Sequence, residues 1–319
     1  MPVIRMSKNS GVLWAAVLIV VFGGTGWAET VRFTPRELYR ISFGTNRENL
    51  GARVEKGNLI IPRTFTMDGA GHFYIDDANH HRIARYAADG TYDMEFRYPA
   101  TATQVFAHAD SRENLWLLIS DPEKGMYYGV FDGHGKSLRS GVFSKFTHFR
   151  LHLDDAYTLH VILSSDKTPP VTQTYIMDEK TFLMKKENIA PPPENHHQVR
   201  KSDRLYFMDQ VPGAAHDGAH SVTRITDETH RNVADIQGSV IYMTGLGDVY
   251  TQVGDREIRV YDVSGSLKGK VTLIGLPSAC AAIRFDPTGN IFELDGIPDA
   301  TGHYTADMPG MRLIEYERP

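Results

Sequence analysis

The chain has 319 residues, a single cysteine and a formal charge of −5. Cys280 has no partner, which excludes a disulfide-stapled miniprotein, and 41% apolar with 10% aromatic residues exclude a chain too polar to fold. A slightly acidic balance is also the wrong sign for a nucleic-acid binder, and the length admits two ordinary domains or one large all-β domain.

Residues 1–28 read as a secretory signal peptide. Arg5 and Lys8 lead an apolar run from Val12 to Phe22, followed by Gly23-Gly24 and a small-residue end at Ala28. Eleven apolar residues would rise only ~16 Å as a helix, about half of a bilayer core, so the segment is too short for a membrane anchor. No cysteine near the cleavage site offers a lipid attachment point. Removing the signal takes away two positive charges and leaves 32 basic and 39 acidic residues, net −7. The expectation is an exported protein, periplasmic or secreted, with no nucleic-acid partner and no membrane anchor after cleavage.

From residue 29 onward the chain forms short β-branched and aromatic runs bounded by Gly, Asp, Asn and Pro. These runs repeat. Taking Tyr74, Trp116, Leu159, Tyr206, Tyr250 and Phe292 as anchors, the spacings are 42, 43, 47, 44 and 42 residues. Several anchors follow an apolar strand with an acidic turn, such as Phe65-Thr66-Met67-Asp68 and Ile283-Arg284-Phe285-Asp286. Several precede another strand and a Gly turn, such as Ile83–Tyr86 before Asp89-Gly90. Four strands per ~43 residues is the unit of a β-propeller blade.

Within this pattern, Pro62–Gly90 resembles an NHL repeat: apolar strand, Asp-x-x-Gly turn, Tyr strand, Asp, Asn-His-Arg-Ile, and a last strand ending in Asp-Gly. The resemblance is clearest in blade one, fair in blades five and six, and lost at the Asp and Arg positions of blades two to four. It implies an ion pair between Asp77 and Arg82, and it specifies a scaffold without an activity. Six blades account for the mature chain, with seven as the alternative. Blade six has only three strands after Cys280, at Ala281–Phe285, Ile291–Leu294 and Arg312–Tyr316, so Leu38–Phe43 is expected to supply its outer strand and close the ring. The fold expected is therefore an all-β, NHL-like six-bladed β-propeller spanning residues 29–319, a monomer.

In such a meander, the loops leading into each inner strand and the loops joining the second and third strands open on one face. Eight of the fourteen histidines fall on that face, which marks it as the expected ligand side. Arg63, Gln104, His148 and His197 stand at or near the starts of inner strands, where an Arg can clamp a carboxylate and converging imidazoles suit a metal or an anion. His216 and His220 flank Asp217 in a Gly-rich loop, and His303 lies in the last blade. His148, His197, His216 and His220 are the candidate ligands for a divalent metal ion. His80-His81 belongs to the repeat pattern, and Cys280 reads as a small buried residue.

Known six-bladed enzymes give a frame for function. Gluconolactonase-like and paraoxonase-like propellers hold Ca²⁺ with Glu, Asn and Asp, and this chain has no acidic residue at its inner-strand starts. The His-x-Glu-x-His-type arrangement of streptogramin lyase-like propellers is absent from the sequence. Peptidyl-amidating lyases, which use channel histidines with a metal, are nearer in repeat type. Two readings follow: a non-catalytic propeller binding a protein, peptide, glycan or other small ligand, or a metal-assisted lyase or hydrolase.

Overall fold

The computed structural model describes residues 31–318 except 57, 111, 144–145, 154–158, 166–171, 188–195, 202–203, 212–220, 276–280, 287 and 306. Every regular element among them is a strand. The chain opens with β1 (Val31–Arg32) and β2 (Thr34–Ser42), then an exposed hairpin of β3 (Arg53–Glu55) and β4 (Asn58–Ile60). Blade one is β5 (Phe65–Met67), β6 (Phe73–Asp77), β7 (Arg82–Tyr86) and β8 (Tyr92–Arg97). Blade two is β9 (Gln104–Ala109), β10 (Leu115–Asp121), β11 (Gly125–Phe131) and β12 (Ser137–Phe143). Blade three is β13 (His148–Leu153), β14 (Leu159–Ser164), β15 (Thr172–Asp178) and β16 (Leu183–Glu187). Blade four is β17 (His196–Lys201), β18 (Arg204–Gln210), β19 (Val222–Asp227) and β20 (Asn232–Gln237). Blade five is β21 (Ser239–Met243), β22 (Asp248–Val253), β23 (Glu257–Asp262) and β24 (Leu267–Thr272), and blade six is β25 (Ala281–Phe285), β26 (Ile291–Gly296) and β27 (Gly310–Glu317). Each blade is an antiparallel meander.

Blade six takes its fourth strand from the other end of the chain. β2 pairs antiparallel with β27 from Ser42 opposite Gly310 to Thr34 opposite Glu317, and it buries Tyr39 and Ile41. The closing strand is longer than the expected Leu38–Phe43, because pairing runs on to the end of β27. β1 then steps over to blade five and pairs in parallel with β24, Val31 opposite Gly269. That fifth strand is an addition to the sequence expectation. Between the two strands, Phe33 packs into the cluster shared by blades five and six, which carries the chain from one outer edge to the next.

In blades one and two an aspartate holds the anchor. Asp68 accepts the backbone N–H groups of Ala70 and His72 and the hydroxyl of Tyr74, at 3.0, 2.9 and 3.1 Å. Asp110 accepts those of Arg112 and Asn114, and the indole Nε1–H of Trp116, each at 2.9 Å. One carboxylate thus closes the turn after an inner strand and fixes the polar tip of the aromatic that starts the next strand. The residue three beyond the Asp needs a left-handed backbone, which Gly71 (φ 84°) and Gly289 (φ 93°) supply. Blade two has Glu113 there at φ 65°, which accounts for its weaker match to the Asp-x-x-Gly pattern.

The core lies between the blades. Phe73 and Ile75 of blade one meet Phe292, Leu294 and Leu313 of blade six. Tyr74 and Ile83 meet Leu115 and Leu117 of blade two on the other side of the same sheet. Strand alternation therefore feeds two cores at once, which is why successive residues of β6 and β10 are both buried. Asp77 and Arg82 form the expected ion pair, Nε to Oδ2 at 2.9 Å, with exposures of 0% and 2%.

Candidate functional site

Each inner strand is an edge strand with its free side turned to the ring axis. The inner strands β5, β9, β21 and β25, together with Gln252 of β22, enclose a cavity of about 520 Å³ there. Its wall is mostly apolar, with Met67, Phe106, Ile241, Ile283 and Phe285 among the lining residues. The cavity sits largely along the second half of these strands, toward the turns that follow them.

Four of the lining residues occupy equivalent places. Thr66, His108, Tyr242 and Arg284 pair with the anchors Tyr74, Trp116, Tyr250 and Phe292. Each precedes its anchor by eight residues. The ring symmetry brings these four to the axis at one level, while sequence divergence among the repeats gives each a different chemistry.

Arg284 is the principal charge. Its Nη1 donates to the carbonyl oxygen of Ile283 at 2.7 Å, and its guanidinium lies 5.7 Å from the ring centroid of Phe65 in blade one. No carboxylate among the described residues pairs with it, and burial alone pulls its pKa below the ordinary arginine value. Asp286, two residues on, is occupied by Thr288 and Asn290 of its own turn. Burial likewise lowers the pKa of His108, against the opposing pull of Asp110 and Glu179, so its imidazole is neutral at pH 7. Flat aromatic surfaces complete the wall. Tyr242 and Phe285 stack with centroids 4.5 Å apart and planes 6° apart, and Phe106 stacks on His108 at 6.3 Å and 8°.

Four of the residues expected from the sequence lie outside this cavity. Arg63 is exposed just before β5 and donates from Nη2 to the Leu59 carbonyl oxygen at 3.3 Å, within the β3–β4 insertion. Gln104 begins β9 and spans to the next blade: its Nε2 donates to the Phe149 carbonyl oxygen at 3.1 Å, and its Oε1 accepts from the Phe149 N–H at 3.4 Å. That geometry ties two inner strands together. His148 begins β13 and is exposed. His303 is exposed in the β26–β27 connection, where its N–H donates to Asp299 Oδ1 at 3.1 Å. None of these four lines the axial cavity. His197 lies in β17 opposite Met208, while His216, His220 and Cys280 fall outside the described residues. Among the described residues, no three His, Cys, Asp or Glu side chains are grouped to hold a metal ion.

One further carboxylate has an altered titration. Asp76, at the end of β6, accepts the Tyr98 hydroxyl at 2.6 Å, and burial pushes its pKa up to about 6. Folding therefore favours its protonated form. The stability it contributes is present below pH 4 and is lost as pH rises through about 6, a penalty of up to about 3 kcal/mol. Asp76→Asn, whose amide oxygen still accepts from Tyr98, is expected to match the parent below pH 4 and to unfold at higher denaturant concentration at pH 8. Paired urea titrations at the two pH values check this.

Six blades in a ring, five of four strands and one of five, with an axial cavity, define the class: this is a six-bladed β-propeller. No protein-family model and no curated protein matches the chain. Solved structures with a similar chain course include a gluconolactonase from Xanthomonas campestris, at 12% identity over 92% of this chain and 93% of that one, with a TM-score of 0.49. The PQQ-bound aldose sugar dehydrogenase of Streptomyces coelicolor is similar at 10% identity over 91% and 100% of the two chains, TM-score 0.47. A streptogramin B lyase is similar at 9% identity over 90% and 98%, TM-score 0.43. Their activities differ from one another, and at this level of likeness none carries over.

Proposed function

We propose that this chain is an exported propeller of the NHL-like kind that acts by binding a ligand, a peptide, glycan or small molecule, without turning it over. The observation that carries this reading is the axial cavity, whose size falls in the usual small-molecule range of about 300–1,000 Å³ and whose wall is apolar with a few polar groups. The signal-peptide pattern of residues 1–28 supports export, and the buried Asp77–Arg82 pair supports the NHL-like repeat.

The test is a thermal-shift screen of the mature protein, purified without a His-tag, against peptides, glycans and small organic molecules, with elemental analysis of the same sample. The reading expects at least one compound that raises the melting temperature and is recovered unchanged after prolonged incubation. Stoichiometric metal with a fall in melting temperature on chelation, or conversion of the bound compound, would replace it with the metal-assisted lyase or hydrolase.

A further inference from the structure

Resting on that binding reading, we propose that the axial cavity is a site for a small organic monoanion, a carboxylate carried on a flat aromatic body. The argument begins with charge. A guanidinium held away from bulk water without a counter-charge is costly, and a ligand carboxylate offers it two parallel hydrogen bonds. Arg284 is part-buried in the cavity wall: it has no carboxylate partner among the described residues, and its one described hydrogen bond leaves the rest of the fork for a ligand.

The count of charges sets the ligand's valence. His108 is the other basic group among the described lining residues, and burial favours its neutral form, so Arg284 is the positive charge that these residues hold at pH 7. One negative charge balances it. A phosphate monoester, carrying about −1.5 to −2 at that pH, would leave an excess charge in the channel. The shape of the wall sets the body. The Tyr242–Phe285 and Phe106–His108 stacks face the axis from blades five, six and two, and such surfaces favour a planar ring. Tyr242 already donates its hydroxyl to the Asp286 carbonyl oxygen at 3.0 Å, which leaves the anion to Arg284.

Equilibrium dialysis with 2-naphthoate, its neutral isostere 2-naphthamide and 1-naphthyl phosphate tests this at pH 7. Naphthoate is expected to bind saturably and at least tenfold more tightly than either of the others. Arg284→Met should weaken naphthoate at least tenfold and leave naphthamide unchanged, and Arg284→Lys should fall between. The ligand-free Met variant should also melt above the parent, because a desolvated charge has gone, whereas an arginine that holds the structure together would lower the melting temperature when removed. Equal binding of acid and amide, preference for the phosphate, no saturable naphthoate binding, or a lower melting temperature with naphthoate affinity intact would each overturn the proposal. The binding reading would survive if the wider screen yields a ligand indifferent to Arg284. It falls if that screen yields no ligand of any class, if the bound compound is converted, or if a stoichiometric metal holds the fold.

Discussion

A chain that starts at Phe43, without β1 and β2, is expected to lose its fold. The missing strands form the outer edge of blade six and bridge to blade five, so their removal bares β27 and β24 together. Tyr39 and Ile41 leave the cluster that joins blades six and one, and each buried side chain of that size contributes about 1.5–3 kcal/mol. The bared edges also offer backbone groups to other chains. Size-exclusion chromatography should show aggregate in place of the peak that the intact chain gives; a stable, folded truncated chain would mean that the ring does not depend on closure by β2. A single substitution probes the same joint more gently. A Cβ at Gly310 would fall on the Ile41 carbonyl oxygen, so Gly310→Val should separate β2 from β27 and cost about 1–3 kcal/mol by overpacking. In the ion pair Arg36–Glu315 on the same two strands the arginine side chain is exposed, and Arg36→Ala should cost no more than about 1 kcal/mol.

The second large effect is expected at Asp77. Its Oδ2 accepts from Arg82 Nε at 2.9 Å and lies 2.7 Å from His80 Nδ1, while its Oδ1 accepts the Gly51 N–H at 2.9 Å. Arg82 in turn donates to Glu95 at 2.8 Å and to the carbonyl oxygens of Arg47 and Asn49. This one pair therefore stitches β6 to β7 and pins the segment that brings the chain from closing strand to blade one. Breaking a buried pair by removing one partner costs about 3–5 kcal/mol. Asp77→Ala should sit near the lower end, because Glu95 still faces Arg82. Denaturant unfolding of both single variants and the double variant should give a coupling of at least about 1 kcal/mol. Additive losses would show that the pair acts as two independent groups.

The scaffold was largely legible in the sequence because the strands recur at a period of 42 to 47 residues. An Asp that closes a turn and catches the aromatic six residues later leaves a visible signature at Tyr74 and Trp116, and the alternation around Tyr39 and Ile41 marks the closing strand. β1 was not legible, since two residues carry no periodicity. The cavity was legible only in part. Histidine-rich loops stand out in a sequence, so attention falls on His148, His216 and His303, while an Arg inside an apolar strand reads as an interruption. The signal for Arg284 lies in reading down the repeats: the position eight before each anchor is Thr66, His108, Tyr242 and Arg284 in the four blades that wall the cavity. Gln104 shows the converse, a polar strand-start residue that serves to join two blades.

The most direct test of a ligand-bearing axis is a crystal structure of residues 29–319 grown with 2-naphthoate. The account predicts the ring of the ligand between the Tyr242–Phe285 and Phe106–His108 stacks, with its carboxylate against Arg284. A ligand seated instead on the face around His148 and His303, with an empty axis, would contradict it.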